Sequence, residues 1–286
     1  MKVVEDLRSL RTHLAELPRP LGLVPTMGYL HAGHLSLVRL AKQQSASVAV
    51  SIFVNPAQFG PQEDLAAYPR DLPRDLAQLE AAGVDVVWTP RAEAIYPEGF
   101  QTWVSVEEVT RRLEGEYRPG HFRGVATVVS KLFHAFEPQR AYFGQKDAQQ
   151  VAVVRRMTQD LDYPIVIVVG PTVREPDGLA MSSRNVYLDP PQRQAATVLY
   201  QSLHSATQAF EAGERDAGAL RRTLNERLAS EPLARPQYVS VADPDSLEEL
   251  QGPVQRALLS MAVVIGKTRL IDNVVVEGPK GQGVNG

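Results

Sequence analysis

Two histidines separated by an alanine and a glycine, His31 and His34, have the spacing with the clearest chemical meaning in this sequence. They follow an apolar, strand-like run at residues 21–24 and precede a helix-like segment at residues 34–44. A turn from a strand to a helix N-terminus favours phosphate, because unpaired backbone N–H groups and the positive end of the helix dipole face the ligand. Imidazole donors there can stabilise charge that develops on a phosphoryl oxygen. The pair therefore indicates nucleotide chemistry.

Two other interpretations of the histidine pair stay open at this point. Isolated histidines at this spacing can also lie on the surface or cap a helix. Zinc binding is a weaker hypothesis, because the chain has no cysteine and no evident third histidine ligand.

A second candidate is Gln58, in a loop at residues 55–60 that follows a Val- and Ile-rich run predicted as a strand. An amide can donate to a carboxylate and accept from a hydroxyl, so it suits a small polar substrate. The alternative is an ordinary loop that only turns the chain, since Asn-Pro forms turns.

A third strand-to-helix turn, at residues 143–150, contains Gly144, Lys146 and Gln150. Glycine lets the backbone approach a nucleotide, and lysine offers a point charge to phosphate. Gln150 lies one turn into the following helix, where its side chain can face the same crevice. The alternative is a helix N-cap formed by Asp147, with a solvated lysine beside it.

Two further loops complete the set. In the loop at residues 173–185, the hydroxyls of Ser182 and Ser183 and the guanidinium of Arg184 can close over a polyphosphate, whereas the alternative is a polar linker between domains. The segment at residues 113–124 groups two arginines and a histidine with turn-forming glycines. It is either a surface loop or a wall that faces an anion.

The elements that position these loops alternate in type. Strands are predicted at residues 21–26, 47–54, 84–88, 141–143 and 165–169, with helices at 34–44, 73–82, 126–136 and 148–159. Strands alternating with helices indicate an α/β fold: a Rossmann-like parallel sheet with helices on both faces. Ligands of such sheets bind at the carboxyl ends of the strands, where these loops fall.

The pattern changes after residue 176. Two long helical segments, at 191–212 and 216–230, precede strand-like runs at 237–242, 257–265 and 268–276. Helices followed by grouped strands indicate an α+β domain. We therefore predict a larger domain at 1–176 and a smaller C-terminal α+β domain at 177–286 that forms a lid over the site. The glycine-rich tail at 278–283 is expected to lack structure.

Composition narrows the class of protein. The chain has 286 residues, of which 44% are hydrophobic and 22% charged, as is typical of a globular protein with a full core. A net charge of -3 gives no reason to expect binding to nucleic acid or to a membrane. The absence of cysteine excludes disulfides and thiolate catalysis. Since the start of the chain is not typical of a signal peptide and no apolar run is long enough to span a membrane, we expect a cytoplasmic protein.

Together these motifs resemble a known group of enzymes. The paired histidines, the lysine turn and the Met-Ser-Ser-Arg loop are similar to the signatures of the HIGH-motif nucleotidyltransferase superfamily. Fuller strings resemble the pantothenate synthetase (pantoate–beta-alanine ligase) family over about residues 1–190. These strings are Pro-Thr-Met-Gly at 25–28, Phe-Val-Asn-Pro at 53–56, Tyr-Pro-Arg at 68–70, Arg-Pro-Gly-His-Phe at 118–122, Phe-Gly-Gln-Lys-Asp at 143–147 and the segment 174–185.

The resemblance implies a reaction and a set of roles. Members of that family condense (R)-pantoate with β-alanine through a pantoyl-adenylate intermediate, converting ATP to AMP and pyrophosphate. His34 is then the catalytic acid, with His31 and Lys146 beside it at the phosphates. Gln58 and Gln150 match positions that hold pantoate, and Gln58 also faces β-alanine. The positions that match the ATP site are Met27, Gly28, Tyr29, Leu30, His31, Ala32, Gly33, His34, Gly144, Gln145, Lys146, Asp147, Val173, Met181, Ser182, Ser183 and Arg184.

Further expectations come with the resemblance. The domain at 1–176 binds ATP and pantoate and carries catalysis, and the chain forms a homodimer. Mg²⁺ accompanies ATP, held mostly by phosphate oxygens and water, with Asp75 as the candidate protein ligand. Asp75 could instead lie on the exposed face of the helix at 73–82. The alternatives for function are another small-acceptor nucleotidyltransferase and a nucleotide-binding module without catalysis.

Overall fold

The computed structural model describes residues 1–60 and 65–279, which form two compact units. The first unit takes Met1–Val173 and Met181–Ser183, and the second takes Arg174–Ala180 and Arg184–Gly286. The boundary predicted after residue 176 falls inside a segment of the second unit. The lid role of the C-terminal domain stays a prediction, and residues 280–283 of the tail expected to lack structure lie outside the described residues.

The first unit is built on a sheet of six parallel strands. These are β1 (Lys2–Val4), β2 (Leu21–Thr26), β3 (Ser47–Ile52), β4 (Val86–Trp88), β5 (Arg140–Gly144) and β6 (Val166–Gly170). Their order is β1-β4-β3-β2-β5-β6, so the chain moves first to one side of β2 and later to the other. This reversal places the carboxyl ends of β3, β2 and β5 side by side, where ligands of open α/β sheets bind. The predicted α/β fold with a parallel sheet is confirmed.

The helices of the first unit are α1 (Leu7–Ala15), α2 (Ala32–Gln44), α3 (Leu72–Ala81), α4 (Ala92–Ile95), α5 (Glu114–Tyr117), α6 (His121–Phe136) and α7 (Ala148–Asp160). Helix α6 begins at His121 rather than at the predicted residue 126. Gly120, with a φ of 84°, turns the chain directly into the helix, and a left-handed residue of this kind favours glycine. β1 and α1 lie outside the predicted elements, since β1 has only three residues and carries little pattern.

Packing in the apolar core holds helix α2 against the sheet. Val24 of β2, Val50 of β3 and Val38 of α2 have no exposed surface and belong to one apolar cluster. Strands that are buried on both faces have unbroken apolar runs, which explains why the predicted and observed bounds of β2 agree. The cluster holds α2 against the sheet directly after the histidine pair.

The second unit packs helices on a three-stranded antiparallel sheet in the order β7-β8-β9. Its elements are α8 (Pro190–Ala195), α9 (Val198–Glu211), α10 (Ala217–Ala229), β7 (Ala234–Ala242), β8 (Arg256–Ile265) and β9 (Thr268–Glu277). The predicted α+β character is confirmed, but the single helix predicted at 191–212 is wrong. The helix is interrupted at Ala196 and Thr197, and the hydroxyl of Thr197 donates to the carbonyl of Gln194 there.

Within residues 1–60 and 65–279, no helix combines the length and apolar character needed to cross a membrane. The cytoplasmic location expected from the sequence stays a prediction.

Candidate active site

Three of the predicted loops begin at neighbouring strand ends. The turn at residues 27–34, which we term the histidine turn, follows β2, the loop with Gln58 follows β3, and the turn with Lys146 follows β5. Thr26 and Ile52 are paired across the sheet, so the first two loops leave it at the same level. Nε2 of Gln58 donates to Sδ of Met27 at 2.9 Å. The histidine turn and the loop with Gln58 are therefore in contact, and Lys146 is near enough to His31 for its charge to lower the pKa of that ring.

The histidine turn is tight because two consecutive residues have left-handed backbone. Gly28 has a φ of 79° and Tyr29 a φ of 51°. A Cβ at Gly28 would lie 3.0 Å from a methyl of Ile52 and 3.1 Å from Oδ2 of Asp75, so only glycine fits there without a shift. Left-handed conformation in Tyr29 is unfavourable for a residue with a side chain and has to be held by its surroundings.

The two imidazoles cap the start of α2. Nδ1 of His31 accepts from the N–H of Gly33 at 3.1 Å, and Nδ1 of His34 accepts from the N–H of His31 at 3.3 Å. A ring nitrogen that accepts a hydrogen bond carries no proton, so each neutral ring has its proton on Nε2. A Cβ at Gly33 would come within 2.8 Å of the His31 ring, which explains the glycine between the histidines.

Burial keeps both rings uncharged. It lowers the pKa of His31 to about 4, with a further contribution from the positive charge of Lys146. Burial lowers the pKa of His34 to about 3, and the neighbouring His31 adds to this shift. Near neutral pH each ring is therefore a neutral donor through Nε2–H. A neutral ring of this kind can act as a hydrogen-bond donor, and the acid role expected for His34 stays a prediction.

The capping interpretation and the chemical one are thus compatible. The backbone N–H groups of the histidine turn do not simply face a ligand, because five of them donate within the protein. The N–H of Gly28 donates to Thr26, and those of Tyr29 and Leu30 donate to Asp75. The other two donate to the imidazoles described above. Of the first helical turn, the N–H of Ala32 is not among these five, so side chains and the helix N-terminus can both supply donors to a ligand.

The amide of Gln58 has a defined orientation. Its Oε1 accepts from Nδ2 of Asn55 at 3.0 Å, which leaves the Nε2 end as the donor side. Asn55 is itself fixed, because its Nδ2 also donates to the carbonyl of Gly124 and its Oδ1 accepts from the N–H of Ala57. The hydroxyl of Tyr96 donates to the same Oδ1 at 2.8 Å. The loop therefore does more than turn the chain. Asn55 and Tyr96 orient the Gln58 amide, and the sequence did not predict them as site residues.

The segment at 113–124 contacts the loop that contains Gln58. Nδ1 of buried His121 donates to the carbonyl of Gln58 at 2.8 Å, since a carbonyl can only accept. The other ring nitrogen then accepts from Nη1 of Arg118 at 3.1 Å. Part of the segment is exposed, as a surface loop predicts, and a wall that faces an anion stays a prediction. Its glycine at 124 allows close approach, because a Cβ there would lie 2.2 Å from the carbonyl oxygen of Ala57.

The turn that contains Lys146 does not have the helix N-cap that the alternative interpretation expected from Asp147. Asp147 makes no side-chain capping hydrogen bond to α7. Nζ of Lys146 lies 3.9 Å from Oδ1 of Asp147, and its side chain is 18% exposed, so its charge is partly screened from water. Gln150 is half-buried on the first turn of α7, but the adjacent Gln149 is buried and bonds the carbonyls of Val109 and Arg112. The two neighbouring glutamines have separate roles.

The Met-Ser-Ser-Arg loop is divided between the units. Met181 belongs to the first, and its N–H donates to the carbonyl of Val173 at 2.9 Å, which joins two positions of the predicted ATP site. In the second unit, Nδ2 of Asn185 donates to Glu175 and to the carbonyl of Ala180. These contacts fix the chain on each side of the serines, which are half-buried.

The side chains present do not fit a resident metal ion. The described part of the chain contains no cluster of three or more His, Cys, Asp or Glu side chains that could hold one. The carboxylate of Asp75 is 1% exposed, and each of its oxygens already accepts a backbone N–H. Asp75 is therefore not on an exposed helix face, and the prediction that it ligates Mg²⁺ does not fit this geometry.

The parallel sheet, the reversal of strand order beside β2 and the paired histidines at a helix start define an α/β nucleotidyltransferase type of protein. The family model for pantoate–beta-alanine ligase matches residues 1–275. The chain belongs to the pantoate–beta-alanine ligase family, and the similarity seen in the sequence is confirmed.

Individual relatives agree over their full length. The chain is 60% identical to pantothenate synthetase of Roseiflexus sp. (strain RS-1), over 97% of this chain and 100% of that protein. It is 59% identical to that of Herpetosiphon aurantiacus, over 96% and 98%. The crystal structure of pantothenate synthetase from Thermus thermophilus matches with a TM-score of 0.92 and 48% identity, covering 96% of this chain and 99% of that one.

A second solved structure bears on ligands. Pantoate–beta-alanine ligase from Francisella tularensis, complexed with beta-gamma ATP and beta-alanine, matches with a TM-score of 0.78 and 35% identity, covering 96% of this chain and 97% of that one. The predicted enzyme class, a ligase, is confirmed by the family.

Proposed function

We propose that this chain joins pantoate to β-alanine in two steps at the edge formed by β3, β2 and β5. In the first, the pantoate carboxylate attacks the α-phosphorus of ATP, forming pantoyl adenylate and releasing pyrophosphate. In the second, the β-alanine amine attacks the acyl carbon, loses a proton and displaces AMP. Family membership and the ligands of the Francisella tularensis relative support this reaction.

The observation that carries the proposal is a pair of neutral, half-buried imidazoles with fixed tautomers on the turn after β2, next to a loop after β3 that carries a fixed amide donor. A carboxylate is ionised near neutral pH, so adenylation needs no general base. It needs in-line positioning and stabilisation of charge on phosphate oxygens. The Nε2–H groups of His31 and His34 can stabilise charge on phosphate oxygens, because the Nδ1 atoms already accept hydrogen bonds from the backbone.

Other residues have roles that follow from charge and hydrogen bonding. Lys146, in the turn after β5, supplies the positive charge for the phosphates. The backbone of Val173 and Met181, held together by their hydrogen bond, lies at the adenine, and Ser182 and Ser183 donate to phosphate. The assignment of Arg184 to the phosphates stays a prediction.

The acceptor side takes the hydroxy acid. Nε2 of Gln58 donates to pantoate oxygens, since its Oε1 is held by Asn55, and Gln150 completes this side from α7. A second phosphate would need cations at this position, whereas two amides suit carboxylate and hydroxyl groups. The same face of Gln58 receives β-alanine in the second step. Mg²⁺ enters with ATP as part of the substrate, bound by phosphate oxygens and water.

The direct test is ATP–pyrophosphate exchange with pantoate alone. We expect exchange that depends on pantoate and does not need β-alanine, because adenylation comes first. Exchange that needs a phosphate-bearing acceptor would favour another nucleotidyltransferase. No exchange with any acceptor, alongside tight ATP binding, would favour a binding module and overturn the proposal.

We also infer a homodimer from family membership. Trp103 is 41% exposed on the first unit, and a second copy would cover such aromatic surface. Sedimentation at micromolar concentration is expected to give twice the chain mass of 31.4 kDa. A single-chain mass at all concentrations would contradict this inference.

A further inference from the structure

Asp75 lies in the first turn of α3 and points its buried carboxylate at the histidine turn. Oδ2 accepts from the N–H of Tyr29 at 2.7 Å, and Oδ1 accepts from the N–H of Leu30 at 2.8 Å. Both oxygens of one side chain thus bind consecutive backbone groups from a segment more than forty positions earlier in the chain.

The conformation of the turn explains why a carboxylate is needed there. With Gly28 and Tyr29 both left-handed, successive N–H groups converge on one side and form a concavity that binds an anionic group. A tyrosine does not hold this conformation by itself. The carboxylate fills the concavity, so that the anion the turn binds comes from the protein.

A second contact from the same helix turn supports this placement. The guanidinium of Arg74 lies 5.4 Å from the centroid of the Tyr29 ring, and its Nη2 donates to the carbonyl of Leu30 at 3.4 Å. Helix α3 is itself held at its start, where Asp71 accepts from the N–H of Arg74. The start of α3 is therefore a rigid support for the histidine turn.

We propose that Asp75 is a positioning residue for the two histidines and not a metal ligand. Leu30 directly precedes His31, the N-cap of α2, so fixing the N–H of Leu30 fixes the entry to the helix and the direction of both rings. The proposal rests on the proposed function only in that the rings act on ATP. It also explains why the N–H groups of Tyr29 and Leu30 do not bind phosphate.

The test compares Asp75→Asn with Glu80→Gln, which makes the same charge change at an exposed position of the same helix, away from the turn. The Asp75→Asn amide keeps one acceptor oxygen but places an NH₂ group against the other backbone N–H. We expect pantoate-dependent ATP–pyrophosphate exchange to fall about 100-fold in Asp75→Asn, as for a small misplacement of a catalytic group. The Mg²⁺ concentration for half-maximal rate should be unchanged, and Glu80→Gln should behave as the wild type.

A second readout does not depend on activity. The ¹⁵N signals of the histidine rings report which nitrogen carries the proton. In Asp75→Asn we expect the Nδ1 and Nε2 signals of His31 and His34 to move toward each other as the fixed tautomer is lost, with no change in Glu80→Gln. Absent exchange in the wild type would count against the proposed function, whereas unchanged ring signals in Asp75→Asn would count against positioning.

Tyr29→Gly provides a rescue, because glycine adopts the left-handed conformation without the cost that tyrosine has. The loss caused by Asp75→Asn should be smaller in the Tyr29→Gly background, and the double variant carries the ring-signal test if Asp75→Asn alone does not fold. A raised Mg²⁺ requirement, with rate restored by excess Mg²⁺ or Mn²⁺, would overturn the proposal in favour of metal ligation.

Discussion

Nδ2 of Asn55 donates to Oε1 of Gln58 across 3.0 Å, and this contact decides which end of the Gln58 amide is offered to a ligand. Reversing the Gln58 amide would place two NH₂ groups against each other. Reversing Asn55 would set its oxygen against the carbonyl of Gly124. The selectivity proposed for the acceptor side therefore depends on a residue that need not touch the acceptor, and on the hydroxyl of Tyr96 behind it.

Tyr96→Phe should raise the KM for pantoate and leave the KM for ATP unchanged. The hydroxyl donates to Asn55, and losing one such hydrogen bond costs about 1 kcal/mol, or about fivefold in KM. Burial raises the pKa of Tyr96 to about 12, so the hydroxyl stays a donor throughout the working pH range. Steady-state kinetics of Tyr163→Phe serve as control, since Tyr163 bonds Ser130 and His134 instead. Equal effects on both KM values would contradict the specific role of Tyr96.

Two substitutions at His34 separate the functions of its two nitrogens. His34→Asn places an amide oxygen near the position of Nδ1, so it keeps the contact with the N–H of His31 but lacks the outer donor. We expect exchange to fall about 100- to 1,000-fold, the usual effect of removing one charge-stabilising donor. His34→Gln reaches the position of Nε2, so it should retain more activity while unfolding at lower urea concentration.

The glutamine variant also distinguishes a donor from an acid. A glutamine amide can donate a hydrogen bond but cannot transfer a proton at neutral pH. If His34 acts as an acid, the Gln and Asn variants should be equally inactive in the exchange assay. Greater activity in His34→Gln than in His34→Asn supports the neutral donor derived from the structure.

Lys146→Ala should slow adenylation about 100- to 1,000-fold, because it removes a charge that stabilises the transition state. It should also raise the pKa of His31, since the lysine charge is one cause of its lowered value. An NMR titration of the ring follows this second effect without any assay. Lys42→Ala is the control, as Lys42 pairs with Asp85 and is not among the groups that shift the pKa of either histidine. A normal exchange rate in Lys146→Ala would remove this residue from the mechanism.

The histidine pair should make stability depend on pH. Both rings have a folded pKa, about 4 and about 3, below the ordinary value of 6.5. Between these values the unfolded chain binds protons that the folded chain does not, so stability rises with pH and is lost as the pH falls below 6.5. At about pH 5 each ring lowers the free energy of unfolding by up to about 2 kcal/mol.

Urea unfolding near neutral pH and at about pH 5 tests this effect. Other groups also titrate there, so the difference between wild type and His34→Asn is the informative quantity. The variant should lose less stability on acidification than the wild type does. An identical loss in both proteins would show that His34 is not buried as a neutral ring.

Sequence patterns identified the parts of the fold that depend on local information. The bounds of β2 agree with the structure because a strand buried on both faces is an unbroken apolar run. Such patterns do not predict the start of α6, because Arg-Pro-Gly is typical of a turn and the helix begins directly after it. The break at Thr197 interrupts an otherwise continuous helical pattern and has no signal in the sequence.

The candidate site also contains residues that the sequence predicted and residues that it did not. His31, His34, Gln58 and Lys146 stand out by type and position, because each follows a predicted strand. The partners that orient them come from elsewhere in the chain. Asp75 is 46 positions from Tyr29, and Tyr96 is 41 positions from Asn55, so no local pattern links them. One sequence shows which side chains can do chemistry, whereas their tautomer and orientation need the tertiary contacts.

A buried ion pair anchors the second unit. Arg174 binds Asp272 through two hydrogen bonds, of 2.6 and 3.0 Å, and Asp272 is almost fully buried. Breaking a buried pair leaves an uncompensated charge, so Asp272→Asn should lower the free energy of unfolding by about 3–5 kcal/mol. Asp245→Asn removes an ion pair of similar length, to Arg256, but an exposed one, and it should cost about 0–1 kcal/mol. Urea unfolding of the two variants gives both values, and equal losses would mean that burial does not set the strength of the Arg174 pair.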